Sequence, residues 1–211
     1  MEALSIPTGA PRAALQARAQ RLATWGLGWH VVEALVALAA GIVASSIALI
    51  SFGADSVVEV IAAVVLLWRF GTSRAGAERR AQQLIAFSFI AIAAYVGVEA
   101  TRTLINSNEP DVSIVGIVLS AGTLLGMPML ARAKTAVAQQ LHSSATASEA
   151  RQTMICAYLS GALLAGLVAN AAFGSWWADP VAAIVIAGAC VREARGAWRG
   201  EACCGHAHPA D

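Results

Sequence analysis

Charge is scarce in this chain. Only 13% of its 211 residues are Asp, Glu, Lys or Arg, whereas 58% are hydrophobic. A soluble domain carries about 25% charged residues. A chain of this length could bury a core in water but could not solvate its own surface, so a soluble fold is excluded. The net charge is +1, and no basic stretch with interleaved aromatics is present, which removes nucleic acid as a partner. Cysteine is also sparse: Cys156 and Cys190 lie in apolar segments, and Cys203 and Cys204 are adjacent in a polar tail. That is not the spaced framework of a disulfide scaffold. Met1 to Arg21 holds no continuous apolar run ending in a cleavage site, so no cleaved signal peptide is expected. Neither a nucleophile–base pair nor a cofactor fingerprint appears, so neither an enzyme nor a prosthetic group is expected.

What the chain does have is long apolar stretches. A membrane helix needs about 20 mostly apolar residues, and six segments qualify: 25–45, 47–70, 84–104, 112–131, 150–173 and 180–197. The expected fold is an all-α membrane protein with six transmembrane helices. It divides into a segment 1–23, a six-helix domain 24–197 and a Cys/His-containing tail 198–211. The first two helices must turn tightly near Ser45 and Ser46. Arg12, Arg18, Arg21, Arg69, Arg74, Arg79, Arg80, Arg132, Lys134, Arg192, Arg195 and Arg199 fall at one set of helix ends, and the loops at 106–111 and 174–179 hold no Lys or Arg. The positive-inside rule then predicts both termini in the cytoplasm, with the bacterial plasma (inner) membrane as the expected location. Trp25, Trp29, Trp68, Trp176 and Trp177 sit at segment ends, as interfacial belts require. Small residues at fourfold spacing, Ala37/Gly41/Ser45 and Gly161/Ala165/Ala169, allow close helix packing.

The second segment carries two acids, Asp55 and Glu59, in an otherwise apolar run. Each costs roughly 2.5–3.5 kcal/mol at the bilayer centre on insertion scales, so such residues mark ion or proton pathways by default. Their spacing of four puts both carboxylates on one face of a helix. With the helices oriented, Gln152 and Cys156 lie in the first half of the fifth helix, also four apart. They reach the depth of Glu59 only if that helix begins upstream of Ala150. Asp55, Glu59, Gln152 and Cys156 could then form a four-ligand metal site of the tetrahedral kind that zinc favours. The alternatives are that Cys156 is a small buried hydrophobe and that Gln152 hydrogen-bonds a neighbouring helix.

Other ionisable groups have two readings each. His30 and Glu33 form either a point of ion access or proton relay, or an interfacial pair in contact with water. Glu149 is a gate or a helix-end charge. Glu99 and Arg102 read as an interfacial ion pair. Asp179-Pro180 reads as a helix N-cap followed by proline at the first helical position. In the tail, Cys203, Cys204, His206 and His208 could capture a metal ion or be chance residues of a polar end.

These residues resemble a known family. Ser46-Ile47-Ala48-Leu49 followed by Ala54-Asp55-Ser56-Val57-Val58-Glu59 is similar to the second helix of the cation diffusion facilitators. Ser148-Glu149-Ala150-Arg151-Gln152-Thr153-Met154-Ile155-Cys156 corresponds to the start of their fifth helix, and Trp177-Ala178-Asp179-Pro180 to the start of their sixth. The stretch 127–134 is similar as well. On this match Gln152 stands where the family has His, Cys156 where it has Asp, and Glu59 is one methylene longer than the usual Asp. On this reading a counterpart of the family's C-terminal ferredoxin-like domain is not expected after helix 6.

The resemblance implies efflux of a divalent transition metal in exchange for protons. Zinc is the first expectation, and cobalt and cadmium are compatible with carboxylate plus thiolate. Protons compete with a divalent ion for such ligands, which couples the two fluxes. The expected partners are the metal ion, protons, the lipid bilayer and a second copy of the chain if helix packing alone can hold a homodimer. Two other functions compete: a non-transporting membrane modulator that keeps the transporter scaffold, and a proton-coupled exporter of organic cations. The first leaves the cost of Asp55 and Glu59 without a purpose. The second calls for an aromatic-lined cavity, whereas helix 5 near the site is mostly Ala, Leu and Gly.

Overall fold

The computed structural model describes residues 10–69, 75–107, 109–141 and 144–199. Among them the chain forms six α-helices and no strand: α1 (Ala10–Ala44), α2 (Ile47–Arg69), α3 (Ala75–Asn106), α4 (Ile114–Leu141), α5 (Ser144–Phe173) and α6 (Ala178–Arg199). Several run past the apolar segments of the sequence. α1 passes through most of the expected N-terminal segment, α3 begins at Ala75, and α4 continues to Leu141. The reason is that hydropathy marks where a helix can cross lipid, while Ala, Arg, Gln and Glu beyond that point keep the helix going by propensity. α5 begins at Ser144, upstream of Ala150, as the placement of Gln152 and Cys156 required.

Four described helices are long and apolar enough to cross a membrane: Ala13–Ala44, Ala86–Asn106, Ile114–Leu141 and Glu149–Phe173. In α6, Asp179, Arg192, Glu193 and Arg195 break the apolar run. α2 holds Asp55 and Glu59 and packs against α1, α3, α5 and α6, which puts the charged helix inside the bundle. α4 pairs with α5 and α1, and α3 with α6 and α2. Large apolar side chains such as Leu35, Val43, Phe87, Leu125 and Tyr158 point outwards, while Glu33, Ser56, Asp55, Thr123 and Ser160 are buried. An apolar exterior around an interior that holds buried charged and hydroxyl groups among its apolar residues suits lipid as the solvent.

α1 and α2 form the tight hairpin expected at Ser45 and Ser46. Ser45 takes a positive φ of 53°, and the Ser46 amide bonds back to the Gly41 carbonyl at 2.9 Å. This is a Schellman ending with serine in the place glycine usually fills. The hairpin is close because of two glycines. A Cβ on Gly41 would lie 2.8 Å from the Ile50 amide nitrogen, and one on Gly53 would lie 2.9 Å from that of Leu38. Of the two small-residue runs in the sequence, the Gly41 run lies at this contact. In α5 the tight position is Gly166, whose added Cβ would meet Ala182 at 2.9 Å, while Gly161 has only an ordinary contact with Leu124.

Asp179 corrects the sequence reading. It lies inside the first turn of α6, and its carboxylate reaches across the bundle to α2. There it accepts the Ser46 hydroxyl and the Ala48 amide at 3.2 Å. Ser46 in turn accepts the Leu49 amide at 3.1 Å. The two residues together cap α2, satisfying amides that a helix start leaves without partners. Spacing along one chain could not reveal which helix an acid would cap. At the same end of the bundle Asp111 donates its amide to the Ala44 carbonyl, and Asn170 donates to the Pro110 carbonyl.

Of the tryptophans, Trp25 and Trp177 are exposed on the apolar exterior, whereas Trp29 turns its indole N–H inwards to the Thr123 hydroxyl at 3.2 Å. Glu99 and Arg102 form the expected exposed ion pair.

Candidate functional site

The α1–α2 hairpin sets the register of the site. Because the two helices run antiparallel, Leu38 lies beside Gly53, Glu33 beside Ser56 and His30 beside Glu59. Each step towards the far end of α2 thus meets one step towards the start of α1. His30 Nδ1 lies 3.0 Å from Glu59 Oε2 and 3.3 Å from Glu33 Oε2. From α5, Gln152 donates its amide to Glu59 Oε1 at 2.7 Å, and the Cys156 thiol lies 3.7 Å from Glu33 Oε2.

His30, Glu59 and Cys156 bring one ligand atom each to within 4.8 Å of one another. Ligand atoms about 2.0–2.3 Å from a tetrahedral zinc lie roughly 3.3–3.8 Å apart, so a contraction of about 1 Å would let the trio grip an ion of that size. The nitrogen, oxygen and sulfur donors form a borderline-soft set. Glu59 Oε2 has no hydrogen-bond partner of good geometry among the described residues. Its close neighbour is the His30 ring nitrogen at 3.0 Å, an ion-pair contact when the imidazole is protonated.

Glu33 stands directly behind the trio and is fully buried. It accepts hydroxyls from Ser56 of α2 at 2.9 Å and from Thr123 of α4, besides its contacts with His30 and Cys156. One carboxylate therefore ties α1, α2, α4 and α5 together and fixes two of the three donor groups. Glu33 is shut away from solvent, while the His30 side chain keeps 13% exposure. Thr123 and Ser56 were not singled out in the sequence. A hydroxyl inside an apolar run is the signal that could have marked them, but Ser and Thr are common in membrane helices.

The four residues grouped from spacing are divided. Glu59, Gln152 and Cys156 gather with His30, whereas Asp55 accepts the Cys190 thiol of α6 at 3.5 Å. Asp55 and Glu59 are neighbours on α2, but that helix lies between α1, α5 and α6, so adjacent turns meet different partners. Gln152 makes the interhelix hydrogen bond of its second reading. Cys156 is buried, and it is also beside the trio's other two donors. The tail residues Cys203, Cys204, His206 and His208 lie outside the described residues.

Lys134 is the other correction. Grouped in the sequence with the charges beyond helix 4, it lies within α4 and is buried, donating to Thr153 Oγ1 of α5 at 3.1 Å. Glu149 Oε2 is 3.8 Å from the same ammonium, with that side chain 41% exposed.

Residues 27–197 match the cation efflux transmembrane domain, from within α1 to near the end of α6. The chain belongs to the cation efflux family. This cation efflux protein is accordingly an integral membrane protein of a transporter family, and its activity is cation transport. No curated protein matches the chain. Within the cation efflux domain the buried polar residues of α1, α2, α4 and α5 lie inside the matched region.

Proposed function

We propose that this cation efflux protein exports a divalent transition-metal ion, zinc first and cobalt or cadmium next, in exchange for protons. Its ligands are His30, Glu59 and Cys156, and Gln152 orients Glu59. The observation that carries this reading is the trio of nitrogen, oxygen and sulfur donors within 4.8 Å of one another, with Glu59 Oε2 facing His30 Nδ1 at 3.0 Å. Thiolate and imidazole bind metal only after losing a proton, so cargo and protons compete for the same atoms. Glu33 holds His30 and Cys156 in place. Asp55, paired with Cys190, serves the neighbouring α2–α6 seam and does not complete the metal shell.

The test is zinc uptake by inverted proteoliposomes under an imposed pH gradient. Glu59→Ala and His30→Ala should each abolish uptake, whereas the parent protein should alkalinise the lumen in step with zinc entry, because protons leave as the metal enters. Uptake by Glu59→Ala at the parent rate would sink the assignment. A modulator that does not transport would give no flux from the parent protein either.

A further inference from the structure

Lys134 is a buried cation within a turn of the proposed cation site, and the ligand set makes no use of it. The residue is only 6% exposed. The ammonium is held by Thr153 at 3.1 Å and by Glu149 at 3.8 Å on α5. On α1 it rests against Gly26, where an added Cβ would lie 3.2 Å from Nζ and 3.9 Å from Cε. Gly26 precedes His30 by four residues, and Thr153 precedes Cys156 by three. At about 1.5 Å of rise per residue, both helices put the ammonium one turn from the donor trio, towards the end where α5 begins.

The order along this seam is therefore an exposed carboxylate (Glu149), an ammonium (Lys134) and a buried donor set (His30, Glu59, Cys156). Along this line the ammonium stands between the Glu149 carboxylate and the donor set. An ion pair is a poor choice for merely joining α4 to α5, since apolar residues of similar size would do that at no desolvation cost. A lysine is suited to something else: its ammonium is compact, and its stem is flexible enough to swing away.

Resting on the metal-site reading for the direction of travel, we propose that Lys134 is a charge gate at the α1–α4–α5 mouth of the site. It stands in for the cargo while the site is empty and repels cations until its ammonium moves out along Glu149. Gly26 is the residue that leaves room for the closed position.

Cys156 supplies a readout that needs no metal. Full-length protein in detergent is treated with a cationic methanethiosulfonate and, separately, with a neutral one of similar size, and labelling of each cysteine is followed peptide by peptide by mass spectrometry. Lys134→Met keeps the length of the side chain and removes the charge. It should raise the cationic-to-neutral rate ratio at Cys156 severalfold and leave the ratio at Cys190 unchanged, while Lys134→Arg stays at the parent value. If Lys134→Met does not fold, Gly26→Leu displaces the ammonium and should raise the same ratio. An unchanged ratio at Cys156, or an equal rise at Cys190, overturns the gate. Loss of zinc binding in none of the ligand variants would overturn the metal site and leave this result standing on its own.

Discussion

Asp55 accepts a thiol from Cys190 of α6 at 3.5 Å, although its neighbour one turn along α2, Glu59, faces α1 and α5. Two acids with the spacing of a shared site thus have different nearest polar partners. Their substitutions should separate accordingly. Zinc binding by isothermal titration should be lost in Glu59→Gln, while Asp55→Asn and Cys190→Ala should weaken it by less than the roughly 10–100-fold expected of a group that orients ligands. Equal loss in Asp55→Asn and Glu59→Gln would restore the paired site that spacing alone suggests.

Glu33 gives a second prediction of the same kind. It touches His30 and Cys156 and receives hydroxyls from Ser56 and Thr123. Glu33→Gln should weaken metal binding by about 10–100-fold, the usual effect of disturbing a group that orients ligands. Restoring the carboxylate one methylene shorter, as Glu33→Asp, should recover part of the affinity. A Glu33→Gln protein with unaltered affinity for zinc would show that the donors are held by packing alone.

Thiolate softness predicts a change of metal preference. Cys156 is the one sulfur donor in the trio, and soft ligands favour cadmium over manganese. Cys156→Ser should therefore lower the affinity for cadmium far more than that for manganese, measured by competition on the same preparation. Parallel losses for the two ions would mean that Cys156 is a packing residue.

The helices were readable from apolar runs, because lipid imposes their length and allows few charges. Helix 2 and its acids were readable for the same reason. The partners were not. His30 meets Glu59 only through the register of a hairpin whose closeness depends on Gly41 and Gly53, and Asp179 caps a helix far from it in sequence. A lysine after an apolar run ordinarily marks a boundary, and on sequence alone Lys134 belongs with the loop charges. Its burial depends on α4 continuing past that boundary and on Gly26 leaving space across from it. Spacing gives the face of one helix, and tertiary packing decides what that face meets.

The hairpin glycines can be tested against a glycine that touches nothing. Gly41→Ala places a methyl group 2.8 Å from the Ile50 backbone nitrogen, and overpacking of this kind costs about 1–3 kcal/mol. Gly97 of α3 has no heavy atom within 4 Å of an added Cβ, so Gly97→Ala should gain up to about 1 kcal/mol of helix propensity. Unfolding in mixed micelles should show shifts of opposite sign. If both alanines behave alike, the α1–α2 contact is not the close approach described.

The cap formed by Ser46 and Asp179 predicts a coupling between helices that are distant in sequence. Ser46→Ala removes one oxygen from the start of α2 and should cost about 1 kcal/mol. Asp179→Ala should cost more, about 2–3 kcal/mol, because it leaves the Ser46 hydroxyl and the Ala48 amide buried without their acceptor. Since the two residues share one hydrogen bond, the double variant should be less destabilised than the sum of the single ones, with an interaction energy of about 0.5–3 kcal/mol in the cycle. Asp179→Asn keeps the shape and one acceptor oxygen and should fall between the parent and Asp179→Ala. Strict additivity in micelle unfolding would mean that each residue acts alone and that α6 does not cap α2.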